Sequence, residues 1–248
     1  MKTGDFYVNG FSGMNSLNAT LVTLPAIPKP KRKRTVIPLI GGSQSALADE
    51  SSYENREFDI QIGVRAKTET EMVTLGDKLF SVFDSSGYIP FSYYGESEYT
   101  YHVFNADLVE TERLLRTSWV RVYTYNLSAA AFKYFDPGQR RNVSNGDTLV
   151  NPFEYEAKPY IKLMGTGNVT LTIAGKAYNY AGVDGFLEID SDELQQDLYK
   201  TNADGTVTFQ NEKAQASQAF PTLQKGRNLI SWSGNITNLE IEPRWRSI

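Results

Sequence analysis

The chain has 248 residues, 40% hydrophobic and 22% charged, a balance that suits a folded protein large enough for two domains. It has no cysteine and one histidine, which excludes disulfide staples, thiolate nucleophiles, zinc–thiolate sites and a His-rich metal centre. A net charge of −4 argues against a general nucleic-acid binder, and 15 Tyr and 13 Phe against 4 Met favour sheets over helical bundles.

The opening MKTGDFYVNGF is interrupted by Asp5, Asn9 and Gly10, so it reads as neither a signal peptide nor an anchor. No stretch is long and apolar enough to imply membrane insertion. Phe6, Tyr7 and Val8 predict a short strand ended by the Asn9-Gly10 turn, and residues 17–24 predict a second. The one strong charge cluster follows: PKPKRKR, with Lys29, Lys31, Arg32, Lys33 and Arg34. Pro25, Pro28 and Pro30 keep it extended, and Val36, Ile37 and Leu39 resume a strand-like pattern. Residues 41–55 are polar and read as a mobile loop.

In REFDIQIGVRAK, Phe58, Ile60, Ile62, Val64 and Ala66 alternate with other residues, predicting a strand with one buried face. Thr68 with Glu71 three residues on fits a capping box. Met72, Leu75, Leu79 and Val82 or Phe83 then mark the buried stripe of a helix lying across a sheet. Gly76 inside that helix points to a close approach by a neighbour. Strands are expected at residues 89–93, 99–109 and 118–127, the last with Trp119, Arg121, Tyr123 and Tyr125 on one face.

Between residues 135 and 159 the pattern lapses into DPGQRRNVSNGDTLVNPFEYEAKP, which marks the domain boundary. The reading is therefore mainly β, with domains over residues 1–138 and 139–248. The second domain reads as short strands separated by Gly165, Gly167, Gly175, Gly182, Gly205 and Gly226, an antiparallel sandwich. Its closing segment, FPTLQKGRNLISWSGNITNLEIEPRWRSI, has the turn-and-strand grammar of a final hairpin.

Candidate chemistry is sparse. His102 lies in an expected strand with no recognisable nucleophile nearby in sequence, and reads as structural. Asp190, Asp192 and Glu193, with Asp184 close by, invite comparison with a carboxylate glycosidase or a calcium site, but an acid-rich turn explains them. Asn202-Ala-Asp204-Gly205 reads as a hairpin turn, and Gly165-Thr-Gly167 as a turn rather than a phosphate cradle. No catalytic, cofactor or metal residue is assigned. The basic cluster admits three readings: a solvated or intersubunit face, a pore-lining or DNA-facing strand, or a targeting tag. The first is preferred.

The order of these segments resembles the distal tail (Dit) proteins of long-tailed siphovirus bacteriophages that infect Gram-positive bacteria. The resemblance is carried by FYVNG, by ENREFDIQIGVRAKT leading into the helix, by SWVRVYTYNL, by PYIKLMGTGNVTLTIAGKAY and FLEIDSDELQQDLYK, and above all by FPTLQKGRNLISWSG with IEPRWRS. It implies a non-enzymatic virion protein without cofactors. Its N-terminal β-sandwich, with one α-helix and a β-hairpin, would close a hexameric ring, and a galectin-like sandwich would hang outside. The implied partners are the major tail or tube protein and the tail-associated lysin or tail-tip protein. Receptor-binding proteins are further candidates, and DNA would be met only in transit through the channel. The implied location is the virion tail tip, with host cytoplasm during assembly. Galectin sugar sites use histidine, and the only one here, His102, is in the first domain. Trp119, Trp232 and Trp245 are therefore read as docking or core aromatics, Trp245 as scaffold first. A wall-carbohydrate-binding module is the alternative.

Overall fold

The computed structural model describes residues 1–107, 109–113, 119–136 and 140–248. The boundary expected between residues 138 and 139 lies outside the described residues, as do Leu108 and Ser118 of two expected strands. Two compact units are present: Met1–Lys133 with Ile248, and Tyr134–Ser247. Both are predominantly β.

The first unit runs β1 (Phe6–Val8), β2 (Phe11–Ser12), α1 (Gly13–Ser16), β3 (Ala19–Leu21), β4 (Arg32–Pro38), β5 (Ser45–Tyr53), β6 (Arg56–Arg65), α2 (Glu69–Phe83), β7 (Ile89–Tyr93), β8 (Tyr99–Asn105), β9 (Glu110–Arg113) and β10 (Val120–Phe135), whose last two residues lie in the second unit. A half-barrel sheet has the strand order β2-β1-β7-β8-β10-β6-β3, with β9 also on β10. Strand β6 buries alternate residues as its pattern requires, and pairs with β10 from Val120 opposite Arg65 to Ala129 opposite Arg56.

Helix α2 covers this sheet. Its N-terminus is fixed by the Thr68 hydroxyl, which accepts from the Glu71 amide at 3.1 Å, while the Glu71 carboxylate accepts from the Lys67 amide at 2.6 Å. Thr68 thus caps as the sequence predicts, but Glu71 reaches one residue further back than in the standard box. Met72, Leu79, Val82 and Phe83 are buried, and Phe83 packs on Tyr125 with ring centroids 4.4 Å apart. Gly76 lies directly beneath Tyr123, where a Cβ would collide with the phenol oxygen. The close approach inferred from this glycine is real.

Two sequence expectations fail in the first unit. Residues 41–55 are not one loop, because Ser45–Tyr53 forms β5, paired antiparallel to β4 with Val36 opposite Leu47 and Ile37 opposite Ala46. Almost all of this ribbon is exposed on both faces, so no polar–apolar alternation betrays the strand. The one-turn helix α1 was also not anticipated. It is capped by the Ser12 hydroxyl, which accepts from the Asn15 amide at 3.1 Å.

The second unit contains β11 (Arg141–Asn142), β12 (Thr148–Asn151), β13 (Tyr160–Ile173), β14 (Lys176–Asp190), β15 (Asp197–Thr201), β16 (Val207–Phe209) and β17 (Gly226–Glu242). Their order is β11-β17-β13-β14-β15-β16, with β12 also on β17. The arrangement is sandwich-like, and its core includes Ile161, Leu163, Leu171, Ile173, Tyr178, Leu187, Ile189, Leu239 and Trp245.

Here the short-strand expectation is corrected. Gly165 and Gly167 do not form a turn, because β13 runs unbroken through them, as β14 runs through Gly182 and Gly185. The pairing register instead shifts at these residues: between Met164 and Gly165 and between Thr166 and Thr170 against β17. A Cβ at Gly165 would strike the Asn235 carbonyl oxygen, and Gly234 (φ +89°) abuts Asn168 in the same way. These glycines let adjacent backbones close up where the ladder is irregular.

Candidate functional site

The exposed β4–β5 ribbon carries the basic cluster, and its cations are not equally available. Arg32 grips Asp49 through Nε to both carboxylate oxygens, at 2.9 and 3.0 Å, and lies over the Tyr53 ring. The guanidinium holds the Asp49 carboxyl down at about 2. Lys31 pairs with Glu54 at 3.5 Å, and Lys29 donates to the Ile248 carbonyl. Among the described residues only Lys33 and Arg34 of the five lack a direct bonded partner, although Arg34 still feels the Asp49 charge. The ribbon therefore presents a smaller free positive charge than its sequence implies. Beyond it stand the exposed apolar residues Val36, Ile37, Leu39, Ile40 and Leu47.

A second surface lies on the outward side of α2 and was not singled out from the sequence. Glu69, Val73, Asp77, Phe80 and Asp84 are all exposed and recur at helical spacing. At about 100° per residue they fall within an arc of about 80°. Val73 and Phe80 are the signal that was available, since neither belongs to the buried stripe. Beside them runs a groove of about 400 Å³, bounded by Val73, Gly76, Asp77 and Phe80 on the helix, by Arg121, Tyr123 and Tyr125 on β10, and by Val109 just before β9. Arg121 at its rim is paired with Glu69. Fully buried Tyr125 has a hydroxyl with no hydrogen-bond partner among the described residues.

The three tryptophans occupy unlike settings. Trp119 is 44% exposed in the first unit. Trp232 is half-buried and packs against the core of the second. Trp245 is 4% exposed and belongs to that core.

The carboxylates around residue 190 do not converge on a common site. Asp190 takes a two-pronged contact from Arg244, and Glu193 accepts from Arg246 at 3.0 Å. Asp192 closes its own turn by accepting from the Leu194 amide at 2.9 Å. Among the described residues no group of three or more His, Asp or Glu side chains could hold a metal ion. His102 stands opposite Pro90 in the β7–β8 pair. The Asn202–Thr206 turn joins β15 to β16, as its sequence predicts. No helix is long and apolar enough to cross a membrane, among the described residues.

No protein-family model matches the chain, and no curated protein matches its sequence. Solved structures do. The Dit protein (gp 19.1) of phage SPP1, a paradigm of the hub adsorption apparatus in Gram-positive-infecting phages, superposes with a TM-score of 0.67 over 100% of both chains at 13% identity. The fold is that of a phage distal tail protein. Chains from the phage p2 baseplate in its activated conformation agree. One, with Sr, gives a TM-score of 0.57 at 9% identity over 96% of this chain and 97% of that chain. Another, with Ca, gives 0.55 at 9% identity over 93% and 92%.

Proposed function

We propose that this chain is a distal tail protein of a siphovirus infecting Gram-positive bacteria, the subunit of a hexameric hub ring. The ring joins the tail tube to the tail-associated lysin or tail-tip protein and leaves a channel for DNA. The observation that carries this reading is the fold likeness to the SPP1 Dit protein from end to end, including both units. Residues 1–138 serve as the ring domain. Residues 139–248 serve as an outer galectin-like sandwich that offers an anchoring surface to receptor-binding proteins. Lys29–Arg34 and Trp119 belong to contacts between copies or with tail partners, and the protein works without catalysis or cofactor.

The physical logic supports it. A ring needs two unlike, mutually complementary surfaces on each subunit, so that a side-to-side contact closes. An isolated two-stranded ribbon is marginal in water, and β4–β5 exposes five large apolar side chains. Covering by a neighbour accounts for it. Light scattering on the full chain, alone and with its tail-tip partner, is the test. Six copies are expected, and a monomer under every condition refutes the ring. Imaging of intact virions should place the chain at the end of the tail tube.

A second reading, a wall-carbohydrate-binding module, is favoured by a shallow groove of about 390 Å³ in the second unit. Its lining includes Asn168, Thr170, Asn179, Glu212, Lys213 and Gln215, polar groups of the kind that meet sugar hydroxyls, with Thr170, Asn179 and Gln215 already bonded in a chain. Pulldown with host cell walls decides it, since absence of binding by the full chain removes this reading.

A further inference from the structure

We propose that the β4–β5 ribbon of one copy lies along the exposed stripe of α2 on the next copy. Leu39 and Ile40 at its tip would fill the groove at its Val73 end, and Lys33 and Arg34 would lie toward Asp77 and Asp84. This rests on the reading of the chain as a self-assembling ring subunit and names the contact that closes the ring.

Three observations carry it. The first is charge: the stripe carries Asp77, with Asp84 at the helix end and Glu69, already paired with Arg121, at its start, and Lys33 and Arg34 are the cluster cations without a direct bonded partner. Complementary patches of this kind set register and suppress wrong pairings. The second is pattern and reach. Val73 and Phe80 alternate with the carboxylates, and Val36, Leu39 and Ile40 follow the cations. Arg32–Pro38 extends about 20 Å as a strand, and the helix stripe from residue 69 to 84 spans about 22 Å. The third is the groove, a bounded cavity on the same helix that includes Tyr125, whose hydroxyl is unpartnered among the described residues.

The absence of cysteine makes the test clean. Full-length Ile40→Cys is mixed with full-length Phe80→Cys or Val73→Cys and treated with a short bismaleimide. A heterodimer is expected, stronger with V73C than with F80C, and the double variant I40C/V73C should give a ladder of covalent multimers. Dimers formed only between two I40C chains, or no heterodimer from an assembled protein, overturn the contact and leave the ring reading standing. A chain that stays monomeric by light scattering overturns both. As a second measurement, K33E/R34E should weaken self-association roughly tenfold, and adding D77K/D84K should recover it. An unchanged association constant for K33E/R34E, in a variant whose circular dichroism matches the parent, refutes the electrostatic half.

Discussion

The Arg244 guanidinium meets the Asp190 carboxylate with two parallel hydrogen bonds, Nη1 to Oδ1 at 2.6 Å and Nη2 to Oδ2 at 3.0 Å. The contact joins the end of β14 to the turn after β17, inside the second unit. Asp190 is buried, so removing Arg244 strands a desolvated carboxylate. Arg244→Met should cost about 3 kcal/mol, and D190N/R244M should cost less than the two single changes together. Urea unfolding of the four proteins measures the coupling, and strict additivity would show that the pair is not formed in solution.

Gly76 and Tyr123 set opposing effects against each other. Alanine at 76 gains about 1 kcal/mol of helix propensity, but its methyl group enters space held by the Tyr123 phenol. Overpacking of this kind costs about 1–3 kcal/mol. Gly76→Ala is therefore expected to destabilise the chain, and Tyr123→Phe in the same chain to recover part of the loss. Thermal unfolding reads both, and a more stable G76A would mean that the helix stands further from β10.

The Asp49 carboxyl is lowered to about 2 from an ordinary 3.8, chiefly by its hydrogen bonds to Arg32. Because the folded ribbon disfavours the protonated acid, the contact contributes fully above the ordinary value. It is lost as pH falls through about 2. Carboxyl NMR of Asp49 should show its inflection near 2, and amide exchange in Ser45–Tyr53 should quicken only there. Asp49→Asn should remove that step, and an inflection at the ordinary value would show an unpaired Asp49.

Trp245 and Trp119 separate scaffold from docking. Trp245→Ala opens a cavity in the second core and should cost about 3–5 kcal/mol. Trp119→Ala changes an exposed ring and should alter stability by less than about 0.5 kcal/mol. If Trp119 contributes to docking, its loss lowers assembly measured by light scattering while the unfolding curve stays put. Equal destabilisation by both would contradict their different burial.

What could be read from sequence depended on whether burial was one-sided. Strand β6 and helix α2 each hide one face, so Phe58–Val64 and Met72–Phe83 show their periods openly. Strand β5 hides neither face, and its backbone pairing with β4 leaves no trace in SALADESSY. Glycine misled in the second unit, because Gly165 marks a close backbone approach inside β13 rather than the end of a strand. The basic cluster was plain as a run of charge. Its partial neutralisation by Asp49 and Glu54 depends on a fold-back that spacing does not encode.

Strand β17 pairs with β11, β12 and β13, so residues 226–242 supply an interior strand of the second unit's sheet. During synthesis the long β13 must wait, one edge unpaired, until those residues leave the ribosome. Non-local pairing of this kind folds slowly and exposes strand edges meanwhile. A nascent chain arrested near residue 225 would present β13 to its neighbours as an aggregation template, so the timing of translation, and not only the finished contacts, bears on how much protein reaches a folded state.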